Sequence, residues 1–482
     1  MTVVHSEESW VDAAQDELFR GWKRWASFTC IWAWSCLSMY FSTIGGAFDR
    51  LSALLSLPNE VVLVATAVAL FAILLFSRFI PTIIRSKPCM GFAGAVLIAG
   101  STAYVVGITF EIAESIVVGM ALGGIAIAIL KVAWGEMYSV MGLRRSLISI
   151  SYAVIASSVL VLLAIDLPIG VLEGALLAVS IPCAPLAYAG FRELERNGAD
   201  RPASQSSLKF SPALLILPLM VGLSYGLVKG ILPLVAPDTG DSVRSMLLVS
   251  GGIAGIILLS FSFRLNDRFG PAQIYSVGLI LVVAGLILIA SRAPYLWLAL
   301  AIHDVGFSIF YFFMIVHWGD LSRRTGLPIV RVYATGYFCF QGIQALTSVA
   351  VYYAASSGFF SGADILLVLS AVLAIFIASL LLFGDGRSPV RQWLVAQDPP
   401  VEKGDGISEA CHSLADAHDL SPREREVLAL LARGRNASYI ARTLCISLDT
   451  AKSHIKSIYR KSGIHTQQEL LDEIETYIPA LP

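Results

Sequence analysis

Between residues 25 and 383 the apolar positions do not alternate with polar ones. They run on in blocks of roughly 20 residues, separated by short polar connections. An α-helix rises 1.5 Å per residue, so about 20 apolar residues match the hydrocarbon thickness of a bilayer. Twelve such blocks are predicted: 25–46, 61–80, 89–109, 115–134, 146–166, 169–190, 212–235, 245–263, 271–291, 295–316, 330–354 and 362–383. The connection 191–211 (FRELERNGADRPASQSSLKFS) is the long one and divides the blocks six and six. Beyond 383 the pattern changes. Residues 384–419, rich in Pro, Gly, Asp and Ser, read as a linker with one helical turn near its end. From 420 onward the apolar residues fall at helical spacing on single faces, as in an ordinary soluble domain.

That last segment carries four short helices. Ser421-Pro422-Arg423-Glu424 combines an N-cap, a proline at the first helical position and a capping-box glutamate. Val427, Leu428 and Leu431 give the first helix an apolar face, which Gly434 closes. The second runs from about Asn436 to Leu444, with Ile440, Ala441 and Leu444 inward. After the turn Cys445-Ile446-Ser447 a third occupies about 449–462, with Ala451, Ile455 and Ile458 inward. Thr466-Gln467-Gln468-Glu469 opens a fourth, with Leu470, Leu471, Ile474 and Ile478 on one side.

Two helices around a tight turn, flanked by two more, form a helix-turn-helix. Over residues 420–475 the sequences LSPREREVLALLARG, IARTLCIS and DTAKSHIKSIYRKSGI resemble the LuxR/FixJ-type DNA-binding domain. The resemblance implies that the third helix enters the major groove of double-stranded DNA, and that the fourth forms a homodimer contact on a promoter inverted repeat. RNA polymerase is a further candidate partner. Independently, with Ala451, Ile455 and Ile458 facing the core, the other side of the third helix presents Thr450, Lys452, Ser453, His454, Lys456, Ser457, Arg460 and Lys461. Hydroxyls and cations on one face suit phosphates and base edges. Lys452, Lys456 and Arg460 are the expected phosphate or guanine contacts; Thr450, Ser453 and His454 are the expected polar readers. The second helix departs from the family in carrying Ala437, Ser438 and Tyr439.

Composition sharpens the contrast between the two regions. Of 482 residues 56% are hydrophobic and only 14% charged, against roughly 25% in a typical soluble chain. The mean hydropathy of +0.73 excludes a water-soluble fold for the bulk of the chain. A net charge of −1 says nothing about a polyanionic partner, but placement does. Alternate connections hold 19 Lys and Arg on one side, including Arg144, Arg145, Arg192 and Arg196, and only Arg50, Arg244 and Arg292 on the other. Basic residues stay in the cytoplasm. The asymmetry therefore predicts a multi-pass protein of the inner (cytoplasmic) membrane with both termini cytoplasmic. The first 24 residues are polar and carry Glu7, Glu8, Asp12, Asp16 and Glu17, unlike a cleavable signal; Trp10, Leu18 and Trp22 suggest an amphipathic helix on the membrane surface, or a solvated leader.

The expected fold class is therefore all-α, a polytopic membrane helix bundle with a C-terminal helix-turn-helix domain. Its domains are a leader (1–24), a twelve-helix membrane domain (25–383), a linker (384–419) and the DNA-binding domain (420–482). The six-plus-six blocks resemble the major facilitator superfamily. Phe76-Ser77 and Ala99-Gly100 recur 185 residues later as Phe261-Ser262 and Ala284-Gly285. Asp267-Arg268-Phe269-Gly270 echoes that family's cytoplasmic D-R-x-G loop, which Ser77–Pro88 lacks. Ionisable and amide groups inside a bilayer are candidates for function. Here they are Glu173, His303, Asp304, Gln341 and Gln344, with Tyr225 and Tyr311 beside them, and they form the candidate site for a small-molecule ligand. The competing reading is hydrogen-bonded glue between helices. Lys131 and Lys229, near the ends of their blocks, read as snorkelling side chains. The seven cysteines stand singly, and no spacing suits a metal, a cofactor or a catalytic pair, so no enzyme is expected. A membrane-bound one-component regulator, controlled by a ligand sensed in the bundle, is the expectation; a facilitator-type transporter with an appended regulatory domain is the alternative.

Overall fold

The computed structural model describes residues 10–44, 58–77, 86–164, 166–196, 215–235, 240–264, 271–290, 296–358, 406–432, 437–444, 446–464 and 466–476. All regular structure among them is helical. The chain divides into two compact units, Met1–Ala396 and Gln397–Pro482.

The first unit contains α1 (Trp10–Phe19), α2 (Trp22–Ile44), α3 (Pro58–Leu75), α4 (Lys87–Thr109), α5 (Ala113–Met141), α6 (Leu143–Ala164), α7 (Ile169–Ser180), α8 (Cys183–Arg196), α9 (Ile216–Val235), α10 (Gly240–Arg264), α11 (Pro271–Ala290), α12 (Leu296–Thr325) and α13 (Ile329–Ser356). Eleven of the twelve apolar blocks fall on these helices; the twelfth, 362–383, lies outside the described residues, as does the loop motif Asp267–Gly270. By length and composition, Lys87–Thr109, Ala113–Met141, Leu143–Ala164, Ile169–Arg196 and Leu296–Arg323 are each able to cross a membrane. The block expected at 169–190 is broken into α7 and α8 around Pro182, which has no amide hydrogen to continue the ladder.

Helix pairing within this unit is repeated. The second, third and fourth blocks pack as α3 on α5 and α4 on α5; the eighth, ninth and tenth pack the same way, as α10 on α12 and α11 on α12. The first and fifth, α2 and α6, correspond to α9 and α13. Across the halves, α6 meets α10 and α13 meets α3, the fifth block on the eighth and the eleventh on the second. The glycines noted in sequence mark this repeat. A Cβ on Gly100 of α4 would stand 2.8 Å from the Gly119 carbonyl of α5, and one on Gly285 of α11 would stand 2.6 Å from the His303 backbone nitrogen of α12. Residue pairs 185 positions apart thus perform the same close approach.

Between α9 and α13 the approach is closer still. Gly222, Gly226 and Gly230 form one stripe at four-residue spacing. A Cβ on each would lie 2.6, 2.3 and 2.6 Å from the carbonyls of Phe340, Gln344 and Ser348. Small residues let apolar helices gain dispersion contacts where lipid offers no hydrophobic drive. The leader helix α1 is docked rather than solvated. Ala13 and Ala14 pack on Ile148 of α6, and Trp10 stacks on Phe263 and donates to Ser262 Oγ (3.0 Å). Its Glu17 is buried and accepts from Arg24 at 2.6 Å, and Arg24 also reaches Glu193 at 3.1 Å.

The second unit contains α14 (Gly406–Ala417), α15 (Pro422–Leu431), α16 (Ala437–Thr443), α17 (Leu448–Ser462) and α18 (Gln467–Thr476). The capping box forms as its residues require: Glu424 N donates to Ser421 Oγ (3.4 Å), and Ser421 N donates to Glu424 Oε2 (2.8 Å). Helix α14 was legible only as a single turn within a linker, yet it spans twelve residues and packs against α15 and α18. Its Ala410, Cys411, Leu414 and Ala415 join Val427, Leu428, Ile440, Ala451, Ile458, Leu470 and Ile474 in one core.

Candidate functional site

Helix α17 starts at Ser447, whose hydroxyl accepts from Thr450 N at 3.0 Å, and ends at Gly463 in the left-handed conformation (φ 72°). Ala451 and Ile458 are fully buried, and they fix the rotation of everything between them. At about 100° per residue, Ser453, Lys456 and Arg460 point away from the core and Lys452 lies on their flank. All four are exposed. Thr450 is also exposed, but its hydroxyl is engaged with that of Ser447 (2.7 Å). His454 and Ser457 are half-buried on the other flank.

Lys461 differs from the sequence-based expectation. Its ammonium donates to Glu424 Oε2 at 2.7 Å and to the Asp419 carbonyl at 3.2 Å. It is thereby turned toward the start of α15 and ties the end of α17 to the capping box. Partial burial works against the charge of Glu424. Lys461, the Ser457 hydroxyl and the Ser421 amide outweigh that and bring the carboxyl down to about 2. Arg423 and Arg425 are likewise committed within the unit, donating to the Leu444 carbonyl (2.8 Å) and the Leu420 carbonyl (2.9 Å). The cations left on the outward face of α17 are Lys452, Lys456 and Arg460, a compact set with Ser453 between them.

In the helical bundle, the polar residues picked out from sequence are partly brought together. His303 and Asp304 of α12 point to different neighbours, as adjacent helical residues must. His303 Nε2 lies 3.0 Å from Ser224 Oγ of α9, and Ser250 Oγ of α10 donates to Asp304 Oδ2. Tyr225 stacks on Phe307 (centroids 3.6 Å apart) and on the His303 ring (6.1 Å). The stack continues through Tyr311 to Phe340 and, edge-on, to Tyr337. Gln341 and Gln344 of α13 are buried, and the Gln341 side-chain oxygen has no hydrogen-bond partner. Glu173 does not belong to this centre; it accepts from Thr109 Oγ1 (3.2 Å) at the exposed end of α4.

The lysines require a correction. Helix α5 continues to Met141, so Lys131 sits ten residues inside its end, with Nζ 4.8 Å from the Tyr337 ring centroid and 5.6 Å from that of Tyr311. Lys229 lies over the Tyr225 ring at 5.6 Å. Both are held over aromatic faces inside the bundle, where the ring quadrupole attracts a cation, instead of reaching outward. Sequence reasoning missed Glu60, because it precedes the apolar block assigned to α3. Glu60 is buried and accepts from Ser348 Oγ at 2.9 Å. Among the described residues no cluster of His, Cys, Asp and Glu suits a metal ion.

Residues 418–474 match the family described as bacterial regulatory proteins, luxR family. The chain is similar to the HTH-type regulator YhjB of Escherichia coli (strain K12), 40% identical over 66 residues, covering 14% of this chain and 33% of that protein. It is also similar to the transcriptional regulatory protein MctR of Rhizobium johnstonii, 44% identical over 52 residues, covering 11% and 24%. The chain thus spans a third or less of the length of these relatives. Among solved structures it is similar to the human organic anion transporter MFSD10 (14% identity, TM-score 0.48, 73% of this chain and 97% of that one). It is also similar to the Escherichia coli fucose:proton symporter FucP (12% identity, TM-score 0.44, 74% and 98%). Residues 418–474 are a LuxR-type helix-turn-helix domain, carried on the same chain as a bundle of apolar helices.

Proposed function

We propose that this protein is a membrane-bound one-component transcription regulator. Its C-terminal unit binds double-stranded DNA through α17, under the control of a small molecule sensed in the membrane bundle. The observation that carries the reading is the outward face of α17. Lys452, Lys456 and Arg460 are exposed and Ser453 lies among them, whereas the neighbouring cations Arg423, Arg425 and Lys461 are bonded within the unit. Three cations confined to one face suit a phosphate track, and a hydroxyl between them suits a base edge.

The same proposal places the protein in the inner membrane with both termini in the cytoplasm, on the strength of the 19-to-3 division of Lys and Arg. A homodimer on an inverted repeat supplies the second half-site. Leu470 and Ile474 of α18 are used in the unit's own core, so the dimer contact falls to the opposite side of that helix, with half-exposed Leu471 at its margin. Ligand recognition is assigned to the centre formed by Tyr225, His303, Asp304, Tyr311, Gln341 and Gln344. There the unpartnered Gln341 oxygen leaves an acceptor for a ligand donor.

Fragment 397–482 tests the DNA-binding half of the proposal. It should bind the promoter region next to its own gene, with affinity falling steeply as salt rises because phosphate contacts release counterions. Lys456→Ala should weaken binding to all sequences and lower the salt slope by about one, whereas Ser453→Ala should change sequence preference. A fragment that binds no DNA at low salt, or a fusion reporter placing residue 395 outside the cytoplasm, would end the reading.

A further inference from the structure

Helix α17 carries a single acidic residue, Asp449, in its first turn. At about 100° per residue, Asp449 is turned about 160–180° away from the core residues Ala451 and Ile458, and lies within about 40° of Ser453, Lys456 and Arg460. Its side chain is exposed. Among the described residues it makes no hydrogen bond and no ion pair. Nor does the helix need it as a cap, because the Ser447 hydroxyl already takes Thr450 N at 3.0 Å. The face that presents Lys452, Lys456 and Arg460 therefore begins with an unbonded carboxylate.

Against DNA that carboxylate is a liability unless a donor meets it. Phosphates repel it, so it can add nothing to a phosphate track. Its place on the helix offers another contact, since the N-terminal residues of a recognition helix are the ones held at base edges in the major groove. On those edges guanine offers only acceptors, and thymine an acceptor and a methyl group; the donors are the amino groups at cytosine N4 and adenine N6. Adenine sets its N7 acceptor beside N6, where it repels a carboxylate. Cytosine presents the donor alone.

We infer that Asp449 is a specificity-determining residue, accepting from N4 of a cytosine in each half-site. The inference rests on the proposed docking of α17 against DNA, and adds the base that its first turn selects. The cations of the face supply affinity without regard to sequence, whereas the carboxylate penalises every other base at its position, so it discriminates by rejection as well as by attraction. The test offers a library of randomised duplexes to the full chain in lipid nanodiscs, then measures affinity for the selected duplex and its single-base variants. Wild type should select one cytosine per half-site, and replacing that base pair should weaken binding roughly ten-fold. Asp449→Asn should move the preference at that position to adenine, whose N6 and N7 an amide can meet together. Asp449→Ala should lose the preference there alone, and bind an unrelated duplex at least as tightly as wild type. A variant that keeps the wild-type preference, or one that weakens binding to all duplexes alike, would reduce Asp449 to a first-turn charge supporting the helix dipole and overturn the inference, while DNA binding through α17 would stand. A wild-type chain that binds no duplex at low salt would overturn both.

Discussion

Replacement of Lys461 by methionine separates two roles that a cation on a recognition helix can hold. In the structure Lys461 grips Glu424 at 2.7 Å, with its side chain one-third exposed and that of Glu424 7% exposed. The Glu424 carboxyl titrates at about 2 in the folded unit and at about 4.3 in an unfolded chain. A gap of roughly two units corresponds to about 3 kcal/mol at most, and solvent near the ion pair reduces this to about 1–2 kcal/mol. Ser457 and the Ser421 amide hold part of it, so Lys461→Met should cost fragment 397–482 about 1 kcal/mol. For a domain of this size that lowers Tm by about 4–8 °C.

The pH dependence has a definite sign. A carboxyl with a depressed folded value stabilises the fold above its unfolded value, and that stabilisation is lost as pH falls through the folded value. The gap between wild type and Lys461→Met should be full at pH 7 and close between about pH 4 and pH 2 in urea unfolding followed by circular dichroism. In a double-mutant cycle, Glu424→Gln should absorb most of the Lys461 effect. DNA affinity, measured well below Tm, should stay near wild type with an unchanged salt slope. A variant of wild-type stability whose salt slope falls by about one would show that Lys461 is a phosphate contact, and would refute the structural role.

Three further outcomes are expected. Gly226→Ala places a methyl 2.3 Å from the Gln344 carbonyl, so α9 and α13 must separate; overpacking should cost about 1–3 kcal/mol, read as a lower Tm of the full chain in detergent, while Gly342→Ala, with nothing within 4 Å, should be neutral. Asp304→Asn should shift the ligand dose-response of a promoter reporter while leaving membrane level and basal occupancy near wild type; an unshifted response would leave Asp304 as a link between α12 and α10 through Ser250. Fusions after residue 210 and within 236–243 should report the cytoplasm and the outside respectively, and the reverse result would invert the proposed topology.

How much of this was legible in the sequence depended on what each element is solvated by. The C-terminal unit is small and its helices are amphipathic, so its caps and apolar faces are local signals: Ser421, Glu424, Ala451 and Ile458 sit where their spacing put them. What failed there was long-range. Lys461 belongs by spacing to the basic face, and nothing local reveals that Glu424, 37 residues earlier, captures it. Helix α14 was undersized because its apolar residues, Ala410, Cys411, Leu414 and Ala415, are small, and their partners lie far ahead in the chain.

In the bundle the balance reverses. Apolar blocks announce the helices, but almost every position is apolar, so periodicity cannot say which side faces protein. The glycine stripe Gly222-Gly226-Gly230 was present in the sequence as a spacing of four, yet only contact with α13 shows that it is an interface. The polar residues suffer most from this. His303, Asp304 and Tyr225 were found because they interrupt apolar runs, and they do meet. Glu173 interrupts a run equally and, among the described residues, meets Thr109. Glu60 was passed over because it borders a run, although its helix carries it into the interior beside Ser348 of α13. A charge at the margin of an apolar block is therefore not evidence of a water-facing position. In α3 the first-turn carboxylate is buried by the packing of α13 against α3 and not by its own surroundings in sequence.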